Sequence, residues 1–118
     1  MAKSTLVITR QPALSGSAPR EALDIVLAGG AFELPLALLF AGPGVTQLLA
    51  ADSTALEQKD LSANLSALPL FGVEAIYADA AALQHLGITP EQLPAWVTPL
   101  APDALAALIH DHDQVISI

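Results

Sequence analysis

Five short apolar runs punctuate the chain: Thr5–Thr9, Leu36–Phe40, Ala75–Ala78, Ala95–Thr98 and Gln114–Ile118. Each is bounded by turn-forming residues. They are short and continuous rather than strictly alternating, the pattern of strands buried on both faces. Helical spacing lies between the runs. Leu23, Val26 and Leu27 form one apolar stripe in a helix over Pro19–Ala31, with Gly29 and Gly30 expected to fray its end. A short helix over Val45–Ala51 follows the tight turn Ala41-Gly42-Pro43-Gly44. Leu61, Leu65 and Leu68 share one stripe within Asp60–Leu70, after a polar loop over Ala51–Lys59. Ala80–Leu86 predicts a small helix closed by Gly87. Thr89-Pro90-Glu91-Gln92 combines a capping threonine, a first-turn proline and a capping-box glutamine. The last helix opens at Pro102 and turns Leu105, Leu108 and Ile109 inward. Strands alternating with helices predict an α/β fold, with a central, mostly parallel sheet of about five strands flanked by helices.

At 118 residues the chain fits one domain over 1–118. Hydrophobic residues make up 53% and charged residues 14%, which excludes disorder and leaves apolar surface for a partner. Twelve acids stand against four bases, a net charge of −8, and no lysine or arginine follows Lys59. Direct nucleic-acid binding and attachment to an anionic membrane both need clustered bases, so neither is expected. The N-terminus lacks the pattern of a signal peptide, and the expected location is the cytoplasm.

Candidate chemistry is sparse. The chain has no cysteine, which excludes disulfides, thiolate metal sites and a nucleophilic thiol. No phosphate-binding glycine loop is present, and no cofactor is expected. His110, His112 and Asp113 form the one metal-like cluster, but a two-residue spacing points helical histidines about 200° apart. A frayed helix end with one half-buried histidine explains the same residues. Arg10, Ser15 and Gly44 fall in the loops after the first two strands, where an open α/β sheet holds ligands. A stand-alone small-ligand binding module is therefore an alternative function. Phe71, in the turn Leu70-Phe71-Gly72, is a candidate interface anchor.

Arg20-Glu21-Ala22-Leu23-Asp24, Gly30-Ala31-Phe32, Leu36-Ala37-Leu38-Leu39-Phe40, Gly44-Val45-Thr46-Gln47-Leu48-Leu49, Leu70-Phe71-Gly72-Val73-Glu74 and Ala80-Ala81-Ala82-Leu83 occur in an order that resembles the TusC/DsrF family of sulfur-relay proteins. The resemblance implies a three-layer DsrE-like fold. It also implies a subunit of a cytoplasmic heteromeric sulfurtransferase with TusB-like and TusD-like sisters, two copies of each. Such complexes pass persulfide sulfur between upstream and downstream carriers, for 2-thiolation of a tRNA wobble uridine in one branch and for sulfur oxidation in another. Two positions depart from the family. Pro43 stands where an acid often precedes the Gly-Val pair. Asp79 stands where the TusD-like sister carries its sulfur-accepting cysteine, at the start of the helix after the third strand. A persulfide carrier needs a thiolate, so the expectation is a structural subunit without catalytic residues. Arg20, Phe71, Tyr77 and Asp79 are the expected partner-interface residues. Asp79 also fits an ordinary helix N-cap.

Overall fold

A computed structural model describes residues 4–11, 18–31, 35–52, 68, 73 and 75–118. The expected helix over 60–70, the polar loop before it, Ser15 and Phe71 lie outside these, except for Ala51 and Asp52 at the loop's start and Leu68 within the helix. The described elements are β1 (Thr5–Thr9), α1 (Ala18–Ala31), β2 (Leu36–Phe40), a 3-10 segment (Gly42–Asp52), β3 (Ala75–Asp79) and α2 (Ala80–His85). A 3-10 turn (Pro90–Gln92), β4 (Thr98–Leu100), α3 (Pro102–His110) and β5 (Gln114–Ser117) complete the order.

The five strands form one sheet in the order β4-β3-β2-β1-β5. Every pairing is parallel, with Val7 beside Leu38 and Ile116, and Tyr77 beside Leu39 and Thr98. Strand periodicity splits the side chains between two cores. Val7, Leu38, Phe40, Ile76 and Ala78 pack under α1 (Ala22, Leu23, Val26), the 3-10 segment (Val45, Leu48) and Leu83 of α2. Leu6, Ile8, Ala37 and Leu39 pack on the opposite face, against Leu105 and Leu108 of α3. The result is three layers, helix–sheet–helix. β1 and β2 are buried on both faces, as their continuous apolar runs require.

Several expectations are corrected. The fourth strand is Thr98–Leu100, not Ala95–Thr98, because Ala95 and Trp96 form the turn that leads into it. Pro99 is compatible with that strand because β4 lies at a sheet edge, where a missing N–H interrupts no ladder. Burial on both faces, expected of all five runs, holds for β1 and β2 alone: β3 is only half-buried on one face, and β4 and β5 are edges, with β5 exposed along its length. Of the three α3 residues expected to face inward, Leu105 and Leu108 pack against the sheet, whereas Ile109 is exposed. The helix expected over Val45–Ala51 is a 3-10 segment that begins earlier, at Gly42. Gly29 does not fray: it lies within α1, and a Cβ there would collide with Leu36 Cδ1. The contact is with the end of the Leu36 side chain, so α1 packs closely on the start of β2.

Candidate functional site

The C-terminal end of β3 places Asp79 at the strand-to-helix junction. Its Oδ1 accepts from the backbone N–H groups of Ala81 (3.1 Å) and Ala82 (3.4 Å). Asp79 is therefore the N-cap of α2, with extended backbone (φ −71°, ψ 107°). The other end of α2 closes as the glycine signal predicts, with Gly87 at φ +72° and its N–H donating to the Gln84 carbonyl oxygen at 3.2 Å. Immediately beyond, Gln92 Oε1 accepts from Thr89 N (2.8 Å) and Thr89 Oγ1 (3.3 Å), which forms the glutamine half of the capping box.

These turns leave an open cavity of about 350 Å³, lined by Ala80, Leu83, Gln84, Ile88, Thr89 and Pro99 among others. Its wall is mainly aliphatic, with the Gln84 amide and the Thr89 hydroxyl as polar side chains. Among the described residues no charged side chain lines it, so its surface suits apolar contact. The cavity has no local signature in the sequence, because its wall joins α2, the following turn and β4 across the fold.

Tyr77 lies on β3, half-buried against the core under α3. Its neighbour in sequence, Ala78, faces the other core, so Tyr77 and Asp79 share one strand face. Arg20 lies in the first turn of α1, and its side chain is outside the described set, as is all of Phe71. Among the described residues, the structure therefore brings together Tyr77 and Asp79 of the four expected interface positions.

A second polar feature lies at the end of β1. Gln47 of the 3-10 segment is buried, and its Nε2 donates to Thr9 Oγ1 (2.8 Å) and to the Gln11 carbonyl oxygen (2.9 Å). Gly44, one turn earlier, is buried against the carbonyl oxygen of Thr9. The ligand-loop residues Gly44 and Arg10 therefore have structural employment: Gly44 packs on β1, and Arg10 Nε donates to Ser117 Oγ at 2.9 Å. The signal for the Gln47 latch is present in Gly44-Val45-Thr46-Gln47, but which strand end it meets depends on the fold.

At the end of α3, His112 is half-buried and its Nδ1 donates to the Leu108 carbonyl oxygen at 2.7 Å, whereas His110 is exposed. Asp113 turns away to Ser4, whose N–H donates to Asp113 Oδ2 at 3.0 Å. His112 and Asp113 thus engage different partners while His110 is exposed, and among the described residues no three acids or histidines are grouped to hold a metal ion. Among the same residues, no helix is long and apolar enough to cross a membrane.

Comparison with known proteins agrees with this architecture. The ychN protein of E. coli superposes with a TM-score of 0.80 over 98% of this chain and 99% of its own, at 17% identity. A conserved protein of unknown function from Bacteroides thetaiotaomicron gives 0.71 over 98% and 95%, at 13% identity. At the sequence level, the chain is 48% identical over 119 residues to "Protein TusC homolog" of Pseudomonas aeruginosa, covering both chains completely. It is 34% identical over 104 residues to the protein of the same name from Vibrio vulnificus, 87% of this chain and 88% of that one. "Protein TusC" of Escherichia coli is 36% identical over 103 residues, 85% of this chain and 86% of its own. The DsrE/DsrF-like family model matches residues 3–118, so the chain belongs to the DsrE/DsrF-like family.

Proposed function

We propose that this chain is a non-catalytic, structural subunit of a cytoplasmic heteromeric sulfurtransferase, a sulfur-relay role of the TusC type. The observation that carries the reading is the end-to-end match to a TusC homolog at 48% identity in a chain with no cysteine. A residue that accepts persulfide sulfur must present a thiolate. At the junction corresponding to the sister's reactive position, this chain has a carboxylate engaged in capping α2. That arrangement supports a shape-supplying role: the helix start is kept, and the sulfur chemistry belongs to another subunit. TusB-like and TusD-like sisters are the proposed partners, two copies of each subunit, with Arg20, Phe71, Tyr77 and Asp79 at the interfaces. The proposed end use is 2-thiolation of a tRNA wobble uridine. The net charge of −8 is consistent with tRNA being contacted by a later carrier rather than by this chain.

The test is co-expression with the genes of the candidate sisters, tagged purification and native mass measurement. The expected result is a complex containing all three chains, with persulfide label on the TusD-like sister and none here. Recovery of this chain without a cysteine-bearing sister overturns the assignment. Phe71→Asp and Arg20→Glu should each reduce recovery of a sister while leaving the isolated chain folded by circular dichroism. Unchanged assembly in both removes those residues from the interface.

A further inference from the structure

We infer that the outer edge of β5 is a pairing surface for a second copy of this chain, joined antiparallel about a two-fold axis so that two five-stranded sheets become one. The inference stands on the edge itself and does not depend on the sulfur assignment.

The hydrogen bonds to β1 fix which way β5 points. Gln114 N donates to the Ser4 carbonyl oxygen, Ile118 N donates to that of Ile8, and Arg10 N donates to that of Ile118. Residues 114, 116 and 118 therefore turn their amides inward. By strand alternation, the N–H and C=O groups of Val115 and Ser117 point away from the sheet. The two edges differ. β4 has Pro99 at its centre, a residue unable to donate. β5 reads Gln114-Val115-Ile116-Ser117, with no proline, charge or bulge to block pairing. Two of the five large hydrophobic residues exposed among the described set fall in this strand, Val115 (43%) and Ile116 (39%).

Charge selects the occupant. Val115 and Ser117 share the sheet face of Leu6, and Asp113, just before the strand, lies beside Ser4 through the bonds that its Oδ2 accepts from Ser4 N and Oγ. On that face Arg10 reaches the far end of β5 through its bond to Ser117 Oγ. The strand thus has a carboxylate at its start and a guanidinium at its finish. An antiparallel second copy brings Asp113 of each chain toward Arg10 of the other, which is the self-complementary pattern of a two-fold interface. A parallel copy would set carboxylate beside carboxylate. In the antiparallel arrangement Val115 and Ser117 exchange backbone hydrogen bonds across the axis. Ile116 then meets its own counterpart as a close, non-hydrogen-bonded pair with α-carbons about 4.5 Å apart.

The test uses the full chain, alone and within any complex that it forms. Because the chain has no native cysteine, Ile116→Cys reports contact directly. The expected result is a symmetric disulfide-linked dimer on mild oxidation, with none from Ile25→Cys, an equally exposed position on α1. In the otherwise native chain, light scattering across a concentration series should show self-association. Val115→Pro removes an outward N–H while sparing the ladder to β1, and should weaken association at least about tenfold. Val115→Lys, a charged edge residue, should do the same if the proline variant folds poorly. Arg10→Glu should weaken it further as salt is lowered. A monomer at every concentration with no Ile116→Cys cross-link, association untouched by both Val115 variants, or a partner strand from a different protein on this edge would each overturn the assignment.

Discussion

Gly44→Ala reverses the usual sign of a helical glycine substitution. In an unobstructed helical segment, alanine should stabilise by up to about 1 kcal/mol, through helix preference and a less flexible unfolded chain. Here the added methyl collides with the Thr9 carbonyl oxygen and comes within 2.9 Å of Thr9 C and 3.0 Å of Arg10 Cα. These are backbone atoms of a strand held on both sides: the Thr9 carbonyl accepts from Ala41 N at 3.0 Å, and Arg10 N donates to the Ile118 carbonyl at 3.3 Å. The opposing segment is held by Gln47 on Thr9 and Gln11, so neither side yields easily. Overpacking of this kind costs about 1–3 kcal/mol, and against rigid backbone the upper part of that range applies. After the helical gain is subtracted, a net loss of about 1–2 kcal/mol is expected, or roughly 3–8 °C in Tm for a chain of this size. Urea unfolding followed by circular dichroism and by the fluorescence of Trp96, the single tryptophan, measures it. The double variant with Gln47→Ala should lose less than the sum of the two single losses, because releasing the latch lets the segment shift. A Gly44→Ala chain as stable as the parent, or more so, would refute the close-approach argument.

Two further substitutions probe the junctions around the sheet. Gln47→Leu strands the buried Thr9 hydroxyl without its donor and should cost about 1–3 kcal/mol in urea unfolding; adding Thr9→Val should recover part of that, and no change in midpoint for the single variant would show that the latch contributes nothing. Asp79→Ala should cost about 1 kcal/mol through loss of the α2 cap, whereas Asp79→Asn should retain most of it; equal losses in the two variants would count against capping as the residue's structural role.

Local chemistry was enough to determine much of this molecule. The continuous runs of β1 and β2, the stripe of α1, Asp79 ahead of the alanine-rich α2, Gly87 after it and Gln92 three residues past Thr89 all appear where their patterns placed them. Each depends on contacts within a few residues, or on burial that affects both faces of a strand alike. The absence of cysteine likewise settled, before any fold was known, that this chain has no thiol to carry sulfur. Tertiary structure decided what depends on neighbours. Whether Val115 and Ile116 are core or surface turns on β5 having a partner on only one side, and a four-residue apolar strand reads the same at a centre or an edge. Gly44 reads as a turn in the sequence because the atoms that exclude a side chain there, in Thr9 and Arg10, come from another element of the fold. The strand expected over Ala95–Thr98 begins three residues later because Tyr77, Ala78 and Asp79 of β3 pair with Thr98, Pro99 and Leu100. A strand exists only against its neighbour, so its limits are set by register across the sheet and not by its own composition.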